Sequence, residues 1–327
     1  MVNFNTFNIK ELVEYVFKET YGQNAEKFLN NEEKCKIIKK AVQNLRWSYK
    51  PSGNDECDTG YDEEEIRKAY MIAYYPYYIE ATRSFIQKGF LPLISNSQTI
   101  YVDCFAGGPC PEIYGTIKSL AESGKCNGAD VATYDLENKW LPYQKITCKL
   151  CKDSFNTDNF KLKSWLFVNN FNIAETGDSL KNYSRYTKKN KKANLTARWN
   201  KQTDIFIMQN YLSHIKDTPQ TVSNFLDWFK NMAAMMKRGA LFIINDLNYG
   251  STKSVFENFD ADNKFLKENN LKQIAGWLPS NGDTKCITHG NTLDILKEKI
   301  FIGQYGDGSG LIPKKYTRYY YTILQKI

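Results

Sequence analysis

Side chains that could do chemistry fall at a few places in this 327-residue sequence. From Thr99 a β-rich run reaches Asp103, and Phe105 then leads into the small residues Ala106, Gly107 and Gly108. Glycine carries no Cβ, so such a turn lets backbone come close to a ligand. A helix-compatible segment follows from Glu112 to about Glu122, and its start offers unpaired N–H groups to an anion or a carboxylate. The turn is not a phosphate loop. No Gly-Lys-Ser/Thr follows it, and Pro109 breaks the dinucleotide spacing G-x-G-x-x-G.

His214, one of two histidines with His289, could take a proton from a hydroxyl or amine near neutral pH, or could cap the next helix. Asp246 ends a buried-looking apolar run. There it could bind substrate or a metal, or cap the following turn. Gln209, Asn210 and Tyr211 end another such run, and Asn210 or Tyr211 could hydrogen-bond a ligand. Cys148-Lys-Leu-Cys151 has metal-ligand spacing, but no second paired element of matching form accompanies it. The cysteines read as buried free thiols, and no metal is assigned. Lys181 to Lys192 is basic and interleaved with tyrosine. It could neutralise phosphates and stack on bases, or be a solvated loop in a Lys-rich chain.

The elements that must position these residues change character near residue 95. Before it the pattern is helical. Ile9, Leu12, Val13, Val16 and Phe17 form one apolar stripe, and Ile37, Ile38, Ala41, Val42 and Leu45 form another within Glu32–Trp47. Asp62 to Glu65 opens a further helix with acids in its first turn, and Pro76 should kink or break it. The aromatics around Pro76 could line a pocket or pack a core. After Thr99, strands alternate with helices: Asp130–Asp135, Trp165–Ile173, Asp204–Met208 and Ala240–Ile244 read as strands, and Val222–Met236 as a helix. Ile300–Gly303 and Tyr319–Leu324 read as a closing pair. Such alternation predicts a mostly parallel sheet with helices on both faces.

Composition allows a large packed core, with 42% apolar and 14% aromatic residues. No apolar run reaches the roughly 18 residues that a membrane span requires. The first residues lack the basic-then-apolar layout of a signal peptide, and the simple reading is a cytoplasmic protein. A formal net charge of +8 permits a polyanionic partner without requiring one.

The order of these motifs resembles the class I S-adenosylmethionine-dependent methyltransferases, over residues 97 to about 250 well and over the final strands loosely. The resemblance implies a Rossmann-like, mostly parallel seven-stranded α/β sheet at 96–327. A helical N-terminal region, 1–95, would then lid the substrate side or offer a partner surface. Asp103, Phe105, Ala106, Gly107 and Gly108 resemble the family's first motif, whose turn approaches the methionine part of the cofactor. Phe105 is a departure, since glycine is more common there. Asp135 resembles the acid that holds the ribose hydroxyls, and a carboxylate does accept two hydrogen bonds from a vicinal diol. Gly177-Asp178 resembles the adenine-binding motif. Asp204 to His214 resembles the fourth motif, which implies Gln209 and Asn210 beside the cofactor and Tyr211, His214 and Asp246 on the catalytic side. Ala69–Ile79 and the Gly-Gly-Pro turn are also similar in layout to ribosome-associated rRNA methyltransferases, in that one stretch alone. The implied activity is methyl transfer from S-adenosyl-L-methionine to a small-molecule or RNA acceptor. The alternatives are a catalytically silent module of this fold binding RNA or a protein, or a reaction that consumes the cofactor without methylating.

Overall fold

The computed structural model describes residues 8–48, 60–94, 99–173, 184–186, 192–215, 217–247, 250–259, 264–281, 285–302 and 316–327. The N-terminal stripes become helices α1 (Ile9–Tyr21), α2 (Ala25–Leu29) and α3 (Glu32–Ser48). Asn8 caps α1 by accepting the Lys10 N–H, and Gly22 ends it in the left-handed region at φ 70°. Helices α4 (Glu64–Ala73) and α5 (Tyr75–Phe85) follow. Pro76 separates them: it lies in the first turn of α5, where its missing N–H has no partner to lose.

The α/β part then runs β1 (Ile100–Phe105), α6 (Pro111–Ser123), β2 (Gly128–Asp135), α7 (Leu141–Phe155) and β3 (Lys161–Asn169). A hairpin of β4 (Ser184–Tyr186) and β5 (Lys192–Asn194) precedes α8 (Leu195–Lys201) and β6 (Ile205–Gln209). After these come α9 (Pro219–Met235), β7 (Leu241–Leu247), α10 (Gly250–Phe256), α11 (Lys264–Glu268) and β8 (Leu271–Trp277). The described chain closes with β9 (Lys285–Thr288), α12 (Asp294–Lys299) and β10 (Tyr316–Lys326).

The main sheet has the order β3-β2-β1-β6-β7-β10-β8, and β9 adds a short pairing to β10. That makes eight strands where seven were expected, the extra one being β9. Strands β3, β2, β1, β6 and β7 are mutually parallel, and β10 is antiparallel to both β7 and β8. Register brings the carboxyl ends level: Phe105 pairs with Tyr134 and Met208, and Gln209 with Asn245. The order reverses between β1 and β6, and such a switch point opens a crevice beyond the strand ends.

Alternation along the strands builds two cores. Val102, Cys104, Ile205, Ile207, Leu241 and Ile243 face one side, where α1 and α3 to α7 pack. Phe105, Phe206, Met208, Phe242 and Ile244 face the other, with Trp199, Trp228 and Phe229. The N-terminal helices therefore share a core with the sheet. Helices α5 and α6 touch backbone to backbone at Gly115, where a Cβ would stand 2.6 Å from the Ile79 carbonyl oxygen.

Two expected strands moved. β3 starts at Lys161 and stops at Asn169, rather than spanning Trp165–Ile173. It is an edge strand, so outward lysines interrupt its apolar pattern without ending it. The strand beside β10 at the end of the sheet is Leu271–Trp277, not Ile300–Gly303. Ile300 ends α12 and buries its side chain in the first core.

Candidate cofactor and substrate site

A cavity of about 700 Å³ opens beyond the carboxyl ends of the parallel strands. Its walls are the loops that leave them: Ala106–Pro109 after β1, Asp135–Glu137 after β2, Phe171–Ile173 after β3, and Gln209–Tyr211 with His214 and Ile215 after β6. Gly60, Tyr61, Asp62 and Tyr70 from the N-terminal region complete it.

The glycine turn is built tightly. Ala106 and Gly108 hold positive φ, at 52° and 49°. A Cβ on Gly107 would lie 2.5 Å from Glu112 Oε1 and 2.9 Å from Cys104 Sγ, so a side chain there would have to displace both. Asp135 joins turn to strand end: its Oδ2 accepts the Gly108 N–H at 2.7 Å and its Oδ1 the Glu137 N–H at 2.9 Å. Each oxygen keeps a lone pair for a further donor. Burial pushes this carboxyl up to about 6 against the pull of those two N–H groups. Glu112, in the first turn of α6, also lines the cavity; burial pushes it up to about 8. Its Oε1 accepts the Cys104 thiol at 2.7 Å.

The rest of the cradle is anchored by its neighbours. The Gln144 side chain donates to the Gly108 carbonyl at 3.0 Å, and the Thr147 hydroxyl to the Pro109 carbonyl at 2.6 Å. Tyr61 bridges the mouth, its ring 5.2 Å from that of Trp140 and 5.8 Å from that of His214.

No protein-family model matches the chain, and no curated protein sequence matches it. Solved structures do. An S-adenosylmethionine-dependent methyltransferase from Clostridium acetobutylicum aligns with 76% of this chain and 91% of its own, at 10% identity and TM-score 0.38. The CurJ carbon methyltransferase aligns over 92% and 69% of the two chains, at 8% identity and TM-score 0.41. A precorrin-6y C5,15-methyltransferase from Geobacter metallireducens aligns over 76% and 86%, at 8% identity and TM-score 0.37. What decides the fold is the strand order of this chain itself, five parallel strands winding out from a switch point and an antiparallel strand set in beside the last. This is a doubly wound, Rossmann-like α/β fold.

Within this fold, the cavity gathers Ala106, Gly107, Gly108, Asp135, Gln209, Asn210, Tyr211 and His214 from the residues that the sequence singled out. Asp103, Phe105 and Asp246 do not line it. Asp103 is fully buried and accepts from Arg198 Nε at 2.7 Å and the Thr203 hydroxyl at 2.6 Å, so it holds α8 to the sheet. Phe105 points into the second core, stacked on Tyr134 with centroids 4.9 Å apart. Asp246 accepts the Leu212 N–H at 2.6 Å and the Leu247 N–H at 2.7 Å, fixing the turn that carries His214. Burial pushes its carboxyl up to about 7.

His214 does not cap the next helix; Thr218 does, in a capping box with Thr221. His289 is buried against Tyr77 and bonded to the Thr317 hydroxyl at 2.7 Å. Cys148 and Cys151 lie in α7 as free thiols, and no group of three or more metal-binding side chains occurs among the described residues. Asp178 and Gly177 lie outside the described residues, as does most of the Lys181–Lys192 stretch. No helix among the described residues is long and apolar enough to cross a membrane.

Glu112, Trp140, Leu136, Glu137 and Tyr61 were not read as site residues from sequence. Leu136 and Glu137 follow Asp135 directly, and Glu112 is an acid at the start of an apolar helix, which are the signals that would have found them. Of the aromatics around Pro76, Tyr70 lines the cavity, whereas Tyr75, Tyr77 and Tyr78 are core.

Proposed function

We propose that this protein is an S-adenosyl-L-methionine-dependent methyltransferase. The observation that carries the reading is that the glycine turn after β1 and the buried acid ending β2 meet in one cavity at the switch point, joined by the Gly108–Asp135 bond. The cavity fits such a cofactor: its volume lies in the range of small-molecule sites, about 300–1,000 Å³. Asp135 would accept the ribose hydroxyls, and the Gly107–Gly108 backbone would lie along the methionine part. Leu136 and Ile173 would flank the adenine. Gln209 and Asn210 would border the cofactor from β6, and Asp178 would complete the adenine contacts.

The cofactor, when bound, supplies an electrophilic methyl group. What the chain supplies is orientation: holding a nucleophile in line does most of the work in such a transfer. Tyr211 and His214 stand on the acceptor side, where His214 could take a proton from the acceptor. Asp246 acts one step back, by fixing the Leu212–His214 turn. Tyr61 and Tyr70 place the N-terminal region over the cavity as its lid.

Titration calorimetry with S-adenosylmethionine and S-adenosylhomocysteine tests this. Micromolar binding, weakened at least tenfold in Asp135→Ala, is the expected result, because hydrogen bonds to a charged group contribute about 1.5–3 kcal/mol. A protein that binds neither ligand would be a non-catalytic module of this fold. S-adenosylhomocysteine release with an acceptor present then separates an enzyme from a module that only holds the cofactor.

A further inference from the structure

We propose that the acceptor half of the cavity takes a flat, positively charged amine on a small molecule, not a nucleic-acid strand. This rests on the methyltransferase reading and narrows it to a class of acceptor.

The first observation is charge. Among the described residues that line the cavity, the acidic side chains are Asp62, Glu112, Asp135 and Glu137, of which buried Glu112 holds its proton near neutral pH, and His214 is the one titratable base. The chain as a whole carries +8, so the sign reverses locally. Two nearby cations are turned to backbone instead. Arg67 Nη1 donates to the Tyr61 carbonyl at 2.6 Å, and Lys139 Nζ to the Asp62 carbonyl at 3.2 Å. A phosphodiester entering here would meet carboxylates with no lysine or arginine among those wall residues to neutralise it, the opposite of what nucleic-acid binding needs.

The second observation is aromatic. Tyr61, Tyr70 and Trp140 cluster edge to face at the cavity, with centroids 5.2 Å apart for Tyr61–Trp140, 5.6 Å for Tyr70–Trp140 and 5.8 Å for Tyr61–Tyr70. Ring faces of Trp and Tyr attract ammonium groups and stack on flat molecules. Tyr70 adds a specific group: it is 7% exposed and lines the cavity, and its hydroxyl has no hydrogen-bond partner among the described residues. That hydroxyl is open to the cavity, where a ligand can take the hydrogen bond that water otherwise makes. Tyr61, Asp62 and Tyr70 all lie outside the set assigned to the cofactor.

Calorimetry on the full chain, first with S-adenosylhomocysteine and then in its presence, tests the proposal with tryptamine, its carboxylate counterpart indole-3-acetate, and a short single-stranded RNA. The expected result is tryptamine bound at least tenfold more tightly than indole-3-acetate, and no displacement by RNA. Asp62→Asn should weaken tryptamine at least threefold and leave S-adenosylhomocysteine within twofold. Tyr70→Phe should weaken tryptamine severalfold while the melting temperature holds. Equal affinity for amine and carboxylate, or RNA that displaces tryptamine, would overturn the proposal and leave the cofactor reading standing. Failure of S-adenosylhomocysteine itself to bind would remove the cofactor reading and this inference with it.

Discussion

Thr82 on α5 donates its hydroxyl to Gln209 Oε1 at 2.6 Å, tying the helical N-terminal region to the last residue of β6. The same oxygen accepts Asn245 Nδ2 at 2.8 Å, and Gln209 Nε2 reaches the Tyr78 carbonyl at 3.4 Å. One buried amide thus fastens two strand ends and a helix at the cavity wall. Gln209→Leu should cost about 1–3 kcal/mol, since it strands buried donors without an acceptor. Urea unfolding measures this, and a loss below half a unit of that range would show that the contacts re-form elsewhere.

Arg198 is the counterion of Asp103 and also reaches the Asp130 carboxylate and the Val102 carbonyl. Arg198→Met would leave Asp103 charged and buried with Thr203 alone. The expected loss is about 3–5 kcal/mol, the usual cost of removing one partner of a buried pair. Arg198→Met combined with Asp103→Asn should recover part of it. No recovery in the double variant would mean that packing, not charge, sets the cost.

Cofactor affinity should depend on pH through Asp135. With the free carboxyl at about 6 and ribose hydroxyls donating to its ionised form, affinity should be flat above neutrality. Below pH 6 it should fall by about tenfold per unit as the acceptor is protonated. S-adenosylhomocysteine titrations between pH 4.5 and 8 read this directly, and Asp135→Asn should flatten the profile. A wild-type profile that is already flat would remove Asp135 from the ribose.

Glu112 makes a prediction about stability. Its folded carboxyl, at about 8, lies above the ordinary value of 4.5, so the folded protein holds this proton longer than the unfolded chain does. The contribution is fully present below pH 4.5 and is lost as pH rises through about 8, with a limiting slope of about 1.4 kcal/mol per pH unit. Glu112→Gln removes a titrating group of nearly the same shape. The stability of wild type relative to this variant should fall between pH 5 and 8 and level off above. Parallel curves would place the Glu112 carboxyl near 4.5 in the folded protein too.

The parallel strands were legible because they are uninterrupted apolar runs: Ile205–Met208 and Leu241–Ile244 are buried on both faces, as only a central strand can be. β8 was not, because Leu271-Lys-Gln-Ile lies at a sheet edge, where polar residues face solvent and blur the pattern. At the site, Asp135 and the glycine turn could be read from their order along the chain. Asp103 and Phe105 could not be placed by order alone. Side-chain alternation sends them to the face opposite Cys104, off the cavity wall, and alternation depends on where a strand begins. Tyr61 and Trp140 meet across 79 residues of sequence, and no local pattern announces a contact made by tertiary packing.

Gly115 and the shared core bear on how the chain can be divided. Residues of α1 and α3 to α5 belong to the same buried core as α6, α7 and one face of the sheet, and at Gly115 no side chain separates α5 from α6. A fragment cut near residue 95 would expose part of that core, and would remove Gly60, Tyr61, Asp62 and Tyr70 from the cavity wall. For expression and crystallisation the useful unit is therefore the entire chain. Any shortening of it should be judged by whether the remaining part stays in solution at all.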